Sequence, residues 1–282
     1  MNRMMITSTN TMDQLQKKID TISNNMANVS TTGYKRKEAF FQDMLVQEMN
    51  NQERADKEKG RLTPNGIRIG VGAKLNQAQV IMDQGSLKST DRKLDVALLK
   101  ENQFFKVKAQ EGNASALRFT RDGAFYLSPI DGTSNRQRLV TGNGDPVLDE
   151  SNQEIIMEGS PKELAFNERG ELTVTTYDRG TQTFPLGIVS IQKPQFLEMT
   201  NNNTFALPQN MAQLGVTEAD ILTQLSGEGR GEISLKQGVL EQSNVDLSTE
   251  MTELMTAQRQ YQFQSRAVSM ADQMMGLVNG IR

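Results

Sequence analysis

The 282-residue chain contains no cysteine, no histidine and no tryptophan. Without cysteine there is no disulfide framework, no thiolate nucleophile and no thiolate zinc ligand. Without histidine no imidazole acts as base or metal ligand near neutral pH, which removes most acid–base and metal chemistry. A protein without catalytic residues, cofactor or metal is therefore expected. No run of 18 or more apolar residues is present, so no membrane-spanning helix and no membrane insertion are expected. The opening Met1-Asn2-Arg3-Met4-Met5-Ile6-Thr7 turns polar too early for the apolar stretch of a secretory signal. A basic excess is missing too: the formal net charge is −3. The electrostatic footprint of a nucleic-acid binder is thus absent. The one short basic cluster, Lys35-Arg36-Lys37, reads as a solvated helix-end or loop surface. Abundant carboxylates leave a paired-carboxylate glycosidase acting on the cell wall as a rival reading.

Proline and glycine are scarce in a patterned way. All seven prolines lie between Pro64 and Pro208, the first glycine is Gly33, and after Gly238 only Gly276 and Gly280 occur. Both helix breakers are thus kept from the two ends of the chain, where the sequence shows a seven-residue apolar repeat. Met5, Met12, Ile19 and Met26 recur every seven residues, with Ser8, Leu15, Ile22 and Val29 three further on. Near the other end, Leu254, Tyr261, Val268 and Met275 recur at seven, with Ala257, Gln264, Ala271 and Val278 three further on. This spacing predicts a helix from Met4 to about Asn28 and another from Val245 to about Asn279, each with a seam facing a partner helix. Asp246 or Ser248 can cap the second. Ten of the sixteen methionines fall at these two ends of the chain, Met1 included. Flexible, polarisable methionine suits a surface packed against several similar neighbours.

Between the helices the pattern is of antiparallel β-structure, and ten of the eleven phenylalanines lie between Phe40 and Phe205. Phe104–Lys108 reads as a strand. Leu117–Thr120 and Ala124–Leu127 flank Asp122-Gly123, a hairpin signal. Turns are expected at Asn143-Gly144, Arg169-Gly170 and Arg179-Gly180, and Leu172–Tyr177 with Phe184–Ile191 reads as a second hairpin. Phe40 to about Ala55 reads as a weaker helix, Glu48–Arg61 as solvated, and Thr63-Pro64-Asn65-Gly66 as a turn or extended connector. Gly66–Lys74 lacks the Gly-Lys-Ser/Thr of a phosphate loop. Gly227-Glu228-Gly229-Arg230-Gly231 reads as a flexible connector. The expected fold class is α+β: terminal helices forming a coiled-coil-like α domain, with a central antiparallel β domain. The expected segments are 1–35 (assembly helix), 36–94 (connector with a short helix and an extended stretch), 95–225 (β domain), 226–243 (connector) and 244–282 (assembly helix).

The most informative string closes the first helix: Ser23-Asn24-Asn25-Met26-Ala27-Asn28-Val29-Ser30-Thr31-Thr32-Gly33-Tyr34-Lys35. Three asparagines put amides beside an apolar seam, where they suit interhelix hydrogen bonds that set register. Gly33 permits a left-handed stop. The string resembles the N-terminal signature of the bacterial flagellar rod and hook proteins. Ser243-Asn244-Val245-Asp246-Leu247, Glu250-Met251, Ala257-Gln258-Arg259-Gln260-Tyr261 and Asp272-Gln273-Met274-Met275 resemble the family's C-terminal signature. Between them, Gln84-Gly85-Ser86-Leu87, Leu94-Asp95-Val96-Ala97, Phe104–Val107, Phe119–Gly123 and Leu139–Gly144 follow in the family's order. The chain departs from the pattern at Lys100-Glu101-Asn102-Gln103, where glycines are usual, and at Thr90-Asp91, where Thr-Gly is common.

The resemblance implies a structural subunit of the flagellar basal body, of the distal-rod type and near the paired rod-hook paralogues of Gram-positive bacteria. It implies export through the flagellar type III apparatus, then polymerisation through the terminal helices into a rod that transmits torque. The partners would be further copies of itself and other rod or hook subunits. Expected at the assembly interface are Met5, Met12, Leu15, Ile19, Ile22, Asn24, Asn25, Met26, Asn28, Thr32, Gly33, Tyr34, Asn244, Leu247, Leu254, Gln258, Tyr261, Val268 and Met275. Leu15, Ile19, Ile22, Leu254, Tyr261 and Val268 carry the packing in this reading, while Asn24, Asn25, Asn28 and Gln258 set register. The alternatives are a hook-type axial protein and an exported adhesion or carbohydrate-binding β module oligomerised by coiled coils.

Overall fold

The computed structural model describes residues 2–43, 47–49, 67–69, 73–111, 114–130, 136–177, 180–200, 203–208 and 210–280. The fold is α+β, with a long helix at each end and antiparallel sheets between. It divides into two compact units. One comprises Met1–Met26, Lys37–Gln79 and Leu247–Arg282, and the other Ala27–Arg36 and Val80–Asp246.

The first unit holds the N-terminal helix Asn2–Ala27 and the C-terminal helix Leu247–Gly280. Their bounds match the stretches free of proline and nearly free of glycine. At ~1.5 Å per residue they are rods of about 39 and 51 Å. Here also lie the strands β1 (Lys37–Asp43), β2 (Gln47–Met49), β3 (Ile67–Ile69) and β4 (Ala73–Val80), paired β1 with β4 and β2 with β3. The helix expected from Phe40 is therefore corrected to strand as far as Asp43, and again over Gln47–Met49. Adjacent aromatic residues fit a pleated surface, and a distant partner strand supplies the ladder that local helical spacing cannot foresee. Most of the expected solvated stretch, the turn at 63–66 and part of the Gly66–Lys74 loop lie outside the described residues.

The β unit contains β5 (Leu87–Ser89), β6 (Val96–Leu98), β7 (Gln103–Glu111), β8 (Ala114–Thr120), β9 (Phe125–Pro129), β10 (Arg136–Thr141), β11 (Ile156–Glu158) and β12 (Pro161–Phe166). It continues with β13 (Glu171–Thr176), β14 (Gly180–Pro185), β15 (Ile188–Ile191), β16 (Glu198–Thr200), β17 (Thr204–Ala206), β18 (Leu222–Gln224), β19 (Leu235–Gln237) and β20 (Val239–Glu241). A six-stranded sheet runs β16-β17-β8-β7-β15-β18. Smaller sheets are β11-β10-β9, β12-β13-β14, β19-β6 and β20-β5.

Side chains alternate across a strand, so Phe104 and Phe105 on β7 enter different cores. Phe105 packs edge-on against Phe125 at 5.1 Å, in a cluster with Leu139, Met157, Leu172 and Leu186. Phe104 packs edge-on against Phe205 at 5.4 Å, in a cluster with Phe119, Val189 and Leu222. The strand at 104–108 and the turns at Gly144 and Gly170, both with positive φ, are as expected. Gly180 also has positive φ and starts β14.

Three further expectations are corrected. Asp122-Gly123 does not close a hairpin: β8 pairs with β7 and β17, while β9 pairs with β10. A two-residue type I′ turn needs positive φ at both central positions, and neither residue has it. Gly123 instead lies so close to Val96 that an added Cβ would fall 1.8 Å from the Val96 carbonyl oxygen. Phe184–Ile191 is not one strand: Leu172 pairs with Phe184 on β14, while β15 joins the large sheet. Gly227–Glu232 is a 3₁₀ turn with Arg230 buried, donating to the carbonyls of Gly170 and Leu186. Residues 226–243 thus belong to the β unit, as do 80–94.

Candidate assembly interface

In the first unit both apolar repeats mark the sheltered side of their helices. On the N-terminal helix Ser8, Leu15 and Ile22 are buried, and Met5, Met12, Ile19 and Met26 half-buried. On the C-terminal helix Ala257 and Ala271 are buried and Leu254, Tyr261, Gln264, Val268 and Met275 half-buried, while Val278 at the end of the repeat is exposed. Polar contacts join the helices. Lys18 pairs with Glu253 at 3.4 Å, and the Asn25 amide donates to the buried Glu250 carboxylate at 3.2 Å. From Glu250 to Glu253 the partners step back from Asn25 to Lys18, so the helices run antiparallel. Asn25 also donates to the Lys37 carbonyl (2.8 Å) and accepts from the Lys37 N–H (3.0 Å). Asn24, Leu247 and Gln258 are exposed.

The C-terminal helix carries a second apolar line that the heptad reading missed. Phe263, Met270 and Leu277, seven residues apart, are 68%, 54% and 69% exposed. Met274 lies on the same side, and Met251 and Met255 are exposed elsewhere on the helix. At about 100° per residue this line lies roughly 150° from the sheltered seam. Its signals in the sequence were the methionine enrichment and its own recurrence at seven.

The rest of the N-terminal signature lies in the β unit. Thr31 donates its N–H and hydroxyl back to the Asn28 carbonyl and side chain. The Thr32 hydroxyl donates to Asp122 at 2.7 Å, and the Thr32 carbonyl accepts from the Asn203 amide at 2.8 Å. Gly33 has φ +65° and packs so tightly that a Cβ would fall 2.6 Å from the Arg121 carbonyl carbon. Its N–H donates to the Glu241 carbonyl at 2.8 Å. Tyr34 is buried, and its carbonyl accepts from the Asn244 N–H. The Asn244 side chain accepts from the Arg36 N–H at 2.7 Å and donates to the carbonyls of Ile81 and Asp83.

Lys35, expected in a solvated cluster, is fully buried. Its ammonium donates to Glu241 at 2.8 Å and to the carbonyls of Met82 and Asp83. Glu241 also accepts from Arg121 Nε at 2.6 Å and from the Gly85 N–H at 3.1 Å. The remaining Arg121 nitrogens donate to the carbonyls of Leu98, Lys100 and Gln103. Lys100 and Gln103 come from the stretch where the chain departs from the family pattern. Burial lowers the Lys35 pKa, opposed by Glu241, and lowers that of Arg121 for the same reason. Burial raises the Asp122 pKa, opposed by the Thr32 hydroxyl. Sequence reasoning missed Lys35, Arg121 and Glu241 because their meeting depends on contacts across up to 206 residues. Among the described residues no group of acidic side chains has the arrangement of a metal site.

Residues 5–35 match the family model for flagella basal body rod proteins. Residues 236–281 match the model for the C-terminal part of flagellar basal body rod FlgEFG proteins. The chain is 41% identical to the flagellar hook-basal body complex protein FlhP of Bacillus subtilis, over 100% of both chains. It is 32% identical to the flagellar basal-body rod protein FlgG of Borreliella burgdorferi, over 100% of this chain and 99% of the other. To FlgG of Bacillus subtilis it is 30% identical, over 94% of this chain and 93% of the other.

Proposed function

We infer that this chain, which belongs to the flagellar basal body rod protein family, polymerises through its terminal helices into the distal part of the rod. It is a structural protein of the flagellum basal body and not an enzyme. The observation that carries the reading is the two-sided C-terminal helix. One apolar seam is sheltered within the unit and the other, Phe263-Met270-Leu277 with Met274, faces outward. Burying that outer line removes it from water at about 25 cal/mol per Å², the driving force for association. A helical line on one copy meeting a different surface on the next is a head-to-tail contact, which propagates into a filament.

In this reading the sheltered residues Met5, Met12, Leu15, Ile19, Ile22, Met26, Leu254, Tyr261, Val268 and Met275 form a coiled-coil-like seam. Asn25 ties that seam to β1 through Lys37, while Asn24, Asn28, Gln258 and Leu247 meet neighbouring subunits. The partners are further copies of the chain and adjacent rod or hook subunits. The polymer carries torque along its axis, and subunits reach its growing end through the flagellar type III export apparatus.

Electron microscopy of basal bodies from cells lacking the gene tests this. A truncated rod without hook or filament is expected, the stub's length giving the subunit's place. Complete rods and hooks on motile cells would overturn the assignment. Small closed oligomers of the purified chain would instead favour an adhesion module.

A further inference from the structure

At Glu241 in the β unit, segments from both ends of the chain share one charged group. The carboxylate accepts from Lys35, on the segment leaving the N-terminal helix, and from Arg121. Its own backbone carbonyl accepts from Gly33. One residue on, the Gln242 N–H donates to the Ser86 carbonyl at 2.8 Å. Asn244 then holds Tyr34 through its backbone and Arg36 through its side chain. The side chains of Lys35, Arg121 and Glu241 are at most 2% exposed. All three Lys35 N–H bonds have acceptors, and both Glu241 oxygens are taken.

A buried ionic network is favourable when complete and costly when one member is missing. Neither end of the chain completes this one alone. Without residues 33–35, Glu241 loses its lysine and the Gly33 contact. Without residues 239–244, Lys35 and Arg121 are left as two buried cations lacking the carboxylate they share.

We propose that Glu241 is a two-ended latch, closing the β unit only when the segment leaving the N-terminal helix and the segment entering the C-terminal helix are both seated. The two segments are then held together and released together. The signature residues Gly33, Tyr34, Lys35 and Asn244 serve this latch within one chain. The inference stands apart from the assembly reading, since it concerns the isolated chain.

Amide hydrogen exchange on the full-length chain and its Glu241→Gln variant tests it. The variant leaves two buried cations facing a neutral amide. Exchange at residues 33–36 and at 242–244 is expected to speed up together by about tenfold or more, with β12–β14 unchanged. Release of one segment alone, or no change in either, would overturn the latch. Should Glu241→Gln fail to fold, Lys35→Met, which keeps the Arg121–Glu241 pair, is read by the same criterion. Because only the free chain is observed, the result is independent of whether it forms a rod.

Discussion

The two units bury apolar surface in opposite ways. In the β unit Phe104, Phe105, Phe119, Phe125 and Phe205 are wholly shielded, and two aromatic cores fill the two sides of β7. In the helical unit the C-terminal helix shields one seam and leaves Phe263, Met270 and Leu277 to solvent. The β unit shields aromatic residues on both sides of β7, while the C-terminal helix leaves an apolar line in water. The polar groups differ too: Lys35, Arg121 and Glu241 are saturated inside the β unit, whereas the Lys18–Glu253 pair between the long helices is partly exposed.

The comparison is most severely tested in the β core. Phe105→Ala should cost ~3–5 kcal/mol, from lost burial plus the cavity left behind. Chemical denaturation followed by near-ultraviolet circular dichroism should show the β unit itself unfolding early. A loss below ~1 kcal/mol would mean that the core relaxes far more than its packing indicates.

Ile22→Asp strikes the other unit, placing a carboxylate at a buried seam position. Polymer should vanish in sedimentation and electron microscopy while the melting transition of the β unit stays in place. Normal assembly would break the seam assignment.

Asn25→Ala should be smaller, ~1–3 kcal/mol, because it strands the Lys37 backbone groups and removes a donor to Glu250. Far-ultraviolet melting of the helical signal reads this. Phe263→Ser should change monomer stability by no more than ~0.5 kcal/mol, as for exposed sites generally. Its effect should appear in the critical concentration for assembly, which rises if the outer line is used.

The smallest effect concerns Asp122. Its pKa is raised by burial in the folded chain, so the folded state holds the proton more tightly than the unfolded one. Its ionisation therefore costs stability above the folded pKa, and that cost disappears as pH falls through the folded value toward the ordinary carboxylate range. Asp122→Asn keeps an acceptor for the Thr32 hydroxyl and the Ala124 N–H. Melting at neutral pH should rise slightly or hold, and the acid-side gain should shrink. A marked drop at pH 7 would show that the carboxylate charge itself is needed.

Much of the helical unit was legible in the sequence. Helix spacing is local, so the recurrence of Leu15, Ile22, Leu254 and Tyr261 at heptad positions marks the sheltered face wherever the partner comes from. Breaker-free stretches marked the helix bounds to within two residues. The second line was harder to read, because apolar residues on two sides of a helix look the same whether buried or exposed. In the β unit the strand at Phe104-Phe105 and the turns at Gly144 and Gly170 were legible, since each rests on neighbouring residues. The pairing of β8 was not. Asp122-Gly123 is a common hairpin pair, and only the nearness of Val96 turns it into a passage between sheets.

Sequence alone thus determined the fold class, the family and the heptad face of each long helix. These depend on composition, order and short-range spacing. The tertiary structure alone decided that Lys35 is buried, that Gly33 abuts Arg121 and that Glu241 joins both chain ends. A charge is solvated or buried according to groups that arrive from more than a hundred residues away. No local pattern encodes that distance.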